Sequence, residues 1–376
     1  MTHELLPVLA DLPLVDHHCH GVESGELDRD RFERALTEAE TVSPLGTTLF
    51  DSLIGLAVRR WCAPLLDLPR HAPAEDYLAR RSALGAAEVN RRLVRAAGIG
   101  EFLLDDGLLS PTATTPAELA TLAGGRTRRI VRLEQVAEDV LRGGVGPADF
   151  ADAVRAELAR RARAAVGVKS VAAYRVGLAL SGARPTEAEV RIAAERCLAA
   201  GSPTLRIAHE TVHRFLIWSA IDLGKPVQFH IGLGDADVHL HRCDPLLLTD
   251  LLRATRPTGV PIVLLHNYPY HRNAAYLAQV FEHVFLDLSL TLHNVGHRAG
   301  AVLAETLELA PFGKFLFASD AFALAELYHL GAVLFRHGLS DFLRAGIADD
   351  AWTTADAERI ATMIGADNAR RVYQLD

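Results

Sequence analysis

Near the start of the chain an apolar run, Leu12-Pro13-Leu14-Val15, breaks off into Asp16-His17-His18-Cys19-His20. Short β-rich runs of this kind recur near 13–18, 101–106, 128–133, 166–172, 226–231, 261–266, 283–289 and 314–319. Each holds a short apolar stretch bounded by polar or turn residues, as strands buried on both faces of a parallel sheet do. Most are separated by stretches with apolar residues at helical spacing, at 154–166, 187–200, 209–224 and 244–255. Strands alternating with helices in this way predict an α/β fold, a (β/α)8 TIM-type barrel with its functional residues at the C-terminal ends of the strands.

One connection breaks the rhythm. Residues 22–100, after the first strand, are too long for a simple βα loop and contain helical patterns at 30–40, 50–66 and 87–98. The pattern divides the chain into a barrel, residues 1–21 and 101–376, and an inserted helical cap, 22–100. An insertion after a barrel strand emerges at the catalytic face, so a cap over the pocket is expected. A dimerisation arm is the alternative.

At 376 residues the chain exceeds the roughly 250 that a barrel needs, which suits one elaborated domain. The formal net charge of -8 and the lack of a Lys/Arg-rich run exclude the basic footprint of a nucleic-acid or anionic-membrane partner. A small-molecule substrate is the expected partner, with homo-oligomer formation left open. The first twenty residues lack a basic start and a small-residue cleavage site, and no apolar run suggests a membrane span, which leads to the cytoplasm. Cys19, Cys62, Cys197 and Cys243 form no CxxC pair, so neither a thiolate site nor a disulfide framework is indicated. Only Lys169, Lys225 and Lys314 among the 39 basic residues are lysines. Each therefore raises the question of why arginine does not serve.

The chemistry concentrates at strand ends. His18 and His20 stand at i and i+2 on the first strand and so share a face, and neutral imidazoles on a rigid strand end suit zinc or a similar divalent ion. His230 follows the fifth run, His266 the sixth and Asp320 the eighth. A lone strand-end histidine is ordinarily a satisfied rim residue and a lone aspartate a helix cap; four such placements at one barrel mouth indicate a metal site. Lys169, on the fourth strand, is either a carbamate formed with carbon dioxide and bridging two ions, an unmodified substrate-binding amine, or an ion-pair partner of a carboxylate such as Glu134. Tyr174, Arg175 and Glu134 are candidate substrate-binding residues near the same rim, Arg175 through paired hydrogen bonds to a carboxylate. Arg132, Asp235, Asn267, Tyr268 and His293 are further loop-end candidates.

With His18, His20, Lys169, His230, His266 and Asp320 in this order, the chain resembles the amidohydrolase superfamily. The segments KSVAAYRVGL, QFHIGLGD and FASDAFALAELYHLGA are similar to the amidohydrolase-2 branch that includes nodulin/FluG-like domains, some of them fused to a glutamine synthetase domain absent from these 376 residues. The resemblance implies a metal-dependent hydrolase that cleaves an amide bond of a small carboxylate-bearing substrate, such as a γ-glutamyl amide. It implies one or two Zn2+ ions, with Mn2+ or Fe2+ as substitutes. Asp320 is expected to act as general base, and His266 as a ligand or as an acid and carbonyl-polarising group. A decarboxylase or uronate-isomerase-like enzyme of the same superfamily is the alternative, and a non-catalytic metal-binding module is the alternative from another class.

Overall fold

The computed structural model describes residues 5–39, 41, 43–105, 107, 112–199 and 205–376. Seven parallel strands, β1 (Leu14–Cys19), β2 (Ile99–Asp105), β3 (Arg126–Arg132), β4 (Ala165–Ser170), β5 (Val227–Ile231), β6 (Ile262–His266) and β7 (Val284–Leu286), pair in sequence order. The strands occupy seven of the expected windows; β2 and β3 begin about two residues early, β7 is only three residues long, and the expected strand end at 106 lies outside the described residues. Every residue of β1, β5 and β6 is buried, which is why their sequences show no alternation of apolar and polar positions. Helices Phe150–Ala162, Glu187–Ala199 and Glu210–Asp222 lie where the apolar spacing places them.

The eighth window, 314–319, forms no regular strand, yet its backbone is bonded to both edges of the sheet. Leu316 N donates to Leu286 O of β7 at 3.0 Å, and His17 N of β1 donates to Phe317 O at 3.2 Å. Asp320 N then donates to His18 O at 2.9 Å, and His20 N to Ala321 O at 2.8 Å. The ladder is interrupted because Ser319 N goes to the Asp16 carboxylate, Oδ1 at 3.0 Å, and because Asp320 has φ 49°, which turns the chain out of extended geometry.

A large apolar core lies between the sheet and its helices, and a smaller cluster gathers Val15, Leu103, Ile130, Val263, Leu265 and Leu316 from successive strand segments with Ala369, Val372 and Tyr373 of the last helix, Asn368–Tyr373. The C-terminal helix therefore packs beneath the strand residues that carry the histidines. Between β1 and β2 the inserted segment forms, among others, helices Ala74–Leu84 and Ala86–Ala96. It is held to the long helix Ala325–Ala348 by Tyr77 Oη and Arg81 Nε, which both donate to Glu326 Oε1 at 2.9 Å. Within the insertion Phe32 stacks on Phe50 at 5.7 Å, and Tyr77 meets the two rings tilted and edge-on at 6.0 and 6.4 Å.

Candidate metal centre

β1 ends in consecutive histidines, which strict alternation would send to opposite faces. A register shift in the β1–β2 pairing between Asp16 and Cys19 changes this, as bulges do, and both rings are buried among polar partners. His17 Nδ1 is 3.1 Å from Tyr373 Oη and its Nε2 2.8 Å from Asp287 Oδ2, whereas His18 reaches Gln228 and Asp320. His18 Nε2 and His20 Nε2 converge on Asp320 Oδ1 at 3.1 and 3.3 Å, and His266 Nδ1 lies 3.2 Å from Asp320 Oδ2.

The neighbours decide which nitrogen each ring offers. Gln228 Nε2 donates to His17 O and to Tyr373 Oη at 2.8 Å each, so its Oε1, 2.9 Å from His18 Nδ1, accepts. His18 therefore carries its proton on Nδ1 and presents a lone pair at Nε2. His20 is set the same way, since its Nδ1 meets the carbonyl oxygen of Asp105 at 3.0 Å. Ser289 Oγ donates to Asp287 Oδ1 at 2.7 Å and so accepts from His266 Nδ1, also at 2.7 Å, leaving His266 Nε2 as an acceptor. That atom and His230 Nε2 are buried and have no hydrogen-bond partner among the described residues.

Burial, with Lys169 adding to it, pushes the His18 imidazole down to about 4 and that of His230 to about 3; burial holds His266 well below its ordinary value. All three are neutral at pH 7, the form that binds metal. Burial opposes the charge of Asp320, but His266, whose protonated Nδ1 lies 3.2 Å from Oδ2, favours it, and the carboxylate stays well below its usual range. Neutral lone pairs and a carboxylate oxygen facing one another within 3.3 Å form a set that a divalent cation satisfies, so the residues fit a metal ion. Among the described residues two overlapping triads bring one ligand atom each to within 4.8 Å of one another, His18/His266/Asp320 and His18/His20/Asp105. His18 has only one free nitrogen, so both cannot be filled at once.

Lys169 is 4% exposed; its Nζ is 2.8 Å from His18 Nε2 and 3.9 Å from Asp105 Oδ2. Burial lowers its pKa, although Asp320 and Asp105 favour the ammonium. The other two lysines have structural work: Lys225 Nζ donates to Ala165 O at 2.7 Å, and Lys314 Nζ to Ala278 O at 2.8 Å and Phe281 O at 2.6 Å. His230 lies beside the triads, its ring 4.3 Å from that of Tyr174 and 4.7 Å from that of His266. Two residues on, Gly232, at φ 72°, lets the chain after β5 pass against the backbone of Tyr268, where a Cβ would sit 2.2 Å from Tyr268 O.

Above this cluster opens a cavity of about 420 Å³ whose lining includes His20, Lys169, Tyr174, Arg175, His230, His266 and Asp320. Glu134 is not on its wall. Its Oε1 accepts from Ser170 Oγ (2.8 Å) and Val171 N (3.0 Å) and lies 3.1 Å from His213 Nδ1, so it braces the end of β4 and reaches neither substrate space nor Lys169. Arg132 lines the cavity but is bound to Asp105 Oδ2 at 2.6 Å, and Asp235 lines it as well. Asn267 is turned inward, its Nδ2 donating to Leu264 O and Asp287 O, and Tyr268 stacks on His271 at 5.9 Å. His293 is buried, 1% exposed, and not on the cavity lining.

Sequence reasoning passed over Asp105, Gln228, Asp287 and Glu38. Three of them carried a usable signal. Asp105 and Asp287 end apolar strands as Asp320 does, and Gln228 stands two positions before His230, on the same strand face. Glu38, in the insertion, stood in no strand-end pattern.

Parallel strands joined in sequence order, with a buried histidine and aspartate cluster at their C-terminal ends, define the class: an α/β protein with a candidate metal centre. Residues 66–375 match the amidohydrolase family, Amidohydro_2, and the chain belongs to that family. It is 29% identical over 405 aligned positions to protein fluG of Emericella nidulans, covering 97% of this chain but only 46% of that protein's length. Among solved structures it resembles a candidate metal-dependent hydrolase from Lactobacillus casei ATCC 334, with 31% identity, TM-score 0.84, and coverage of 99% of this chain and 98% of the other. A uronate isomerase from Bacillus halodurans C-125 shares the fold at 14% identity and TM-score 0.65, over 98% of this chain and 95% of that one. An enzyme of this superfamily follows from the family and the site together. No helix among the described residues is long and apolar enough to cross a membrane.

Proposed function

We propose that the protein is a metal-dependent hydrolase cleaving an amide bond of a small carboxylate-bearing substrate, with γ-glutamyl amides as the leading class. Segment 315–321 is read as the eighth strand of a closed (β/α)8 barrel, and the insertion expected at 22–100, which ends where β2 begins at Ile99, as its helical cap. Support for the cap comes from Arg34, Thr37, Glu38 and Ala39, which line the cavity. The observation that carries the functional reading is the convergence of His18 Nε2 and His20 Nε2 on Asp320 Oδ1, at 3.1 and 3.3 Å.

His18, His20 and Asp320 would hold the ion, with His230 and His266 on the same cavity; the nitrogen and oxygen donor set suits Zn2+, with Mn2+ or Fe2+ as substitutes. A divalent ion there supplies Lewis acidity, polarising a substrate oxygen and lowering the pKa of a coordinated water. Asp320, ionised and facing the cavity, accepts the proton of the attacking water and delivers it to the leaving nitrogen. His266 has its proton on Nδ1, held between Ser289 and Asp320, and leaves Nε2 as an acceptor, so it serves as ligand or proton acceptor rather than as the carbonyl-polarising donor. Arg175 takes the substrate carboxylate. Because His18 offers a single nitrogen, one ion is the simpler reading. A carbamate on Lys169, whose lowered pKa favours the neutral amine that reacts with carbon dioxide, would permit two.

The test is metal analysis of the purified protein with product analysis on a panel of γ-glutamyl and other amides. Release of an amine, dependent on the metal and lost in His20→Ala, is the expected result. Carbon dioxide from aromatic acids, or a product isomeric with a uronate, would reassign the reaction.

A further inference from the structure

The cavity above the histidines is lined by groups of both charges. Among them Arg175 leaves its Nε and Nη1 buried without a hydrogen-bond partner, and its nearest carboxylate, Glu138, is 3.9 Å away. His230, 3% exposed and on the same lining, leaves Nε2 equally unpartnered. Buried polar atoms without partners are costly, so this lining is one that a polar ligand satisfies.

The opposite charge comes from Glu38, carried in by the insertion. Among the described residues no hydrogen bond or ion pair reaches its carboxylate. The charges it feels are Asp320 and Asp235, which repel it, and Lys169, which is already engaged with His18 and Asp105. Arg34, four residues earlier and on the same lining, turns its Nε to Asp30 O at 3.3 Å. Asp235 has one oxygen committed to Asp237 N at 2.9 Å and lines the same cavity; Arg206, also on the lining, favours its charge but is itself paired with Asp237 Oδ2 at 2.7 Å. Carboxylates that share a confined space repel each other, and a cation placed among them relieves that repulsion.

We propose that Glu38 and Asp235 form an ammonium subsite which, with Arg175 for the carboxylate, recognises the α-amino-acid end of the substrate. A zwitterion matches both charges: three ammonium N–H donors face the carboxylates, and the carboxylate pairs with the guanidinium. Where Glu38 is ionised, a dicarboxylate lacking the amine meets it as a like charge and is rejected. The reacting bond is taken from the hydrolase reading, but recognition of the amino-acid end holds whichever reaction follows.

Calorimetric titration of the metal-loaded protein with L-glutamate and with glutarate, which differ by the ammonium group, tests the subsite. L-Glutamate should bind at least about tenfold more tightly. Glu38→Gln should abolish most of that preference by weakening L-glutamate alone, with glutarate unchanged or tighter and metal content intact; Asp235→Asn should shift the preference the same way. No preference in the wild type, no binding of either probe, unchanged discrimination in Glu38→Gln, or loss of metal in that variant would each overturn the proposal, the last by making Glu38 a ligand. Failure to hydrolyse γ-glutamyl amides while the preference for L-glutamate persists would remove the hydrolase reading only.

Discussion

Three imidazoles at this site are oriented by groups that can only accept from them: Gln228 Oε1, the carbonyl of Asp105, and a serine whose own proton is spent on Asp287. Ligand geometry therefore depends on residues that never touch the ion. Gln228→Leu should remove the acceptor for His18 Nδ1 and weaken metal binding about 10- to 100-fold, the range typical of such partners. Tyr373→Phe, one bond further out, should weaken it less; chelator competition measures both, and equal affinity in all three proteins would contradict the assigned tautomers. Lys169→Ala separates the two metal readings. If a carbamate bridges two ions, the variant loses one ion and nearly all activity, with partial rescue by a short carboxylic acid; a full metal complement would leave a mononuclear site.

At the scale of elements, the insertion is bound to the long helix Ala325–Ala348 through a buried charge. Arg81 and Glu326 are 3% and 0% exposed and 2.9 Å apart, with Tyr77 as a second donor to the same oxygen. Removing one partner of a buried pair strands the other, so Arg81→Met should destabilise the protein by about 3–5 kcal/mol in chemical denaturation. Adding Glu326→Met should recover a large part of that loss. A double variant no better than the single one would mean that the insertion docks by apolar contact alone. Because Glu38 lies on this insertion, a loosened anchor should also raise KM more than it lowers metal content.

For the whole molecule, pH dependence follows from where histidines are buried. His18, His283, His293 and His329 are pushed by burial from 6.5 to about 4, and His230 to about 3. In each case the unfolded chain takes up a proton that the folded chain refuses, so stability is full above pH 6.5 and falls as the pH drops towards about 4. Asp16 and Glu38, both raised to about 7 by burial, work in the opposite direction over the same window but are outnumbered. The metal-free protein should thus show a denaturation midpoint that declines from pH 6.5 to 4, and His329→Gln should flatten the curve. A midpoint constant across that range would contradict the burial of these rings as neutral groups.

What the sequence determined by itself was everything that repeats with local period. Seven strands, helices between them and the strand-end positions of His18, His20, Lys169, His230, His266 and Asp320 follow from apolar runs and from which residue ends each run. Glu134 fits the same pattern, yet it faces Ser170 and His213 because its helix begins at Leu133 and turns the side chain away from the cavity. Local period could not show that a register shift would bury both His17 and His18, or that the eighth segment would lose its ladder at Ser319 and Asp320. Nor could it show that Tyr373, at the end of the chain, would lie under Gln228, or that Glu38 would reach the cavity from an insertion of irregular helices. Those depend on contacts between residues far apart in sequence, whose partners are chosen by packing and by the need to satisfy buried polar atoms, and only the tertiary structure makes that choice.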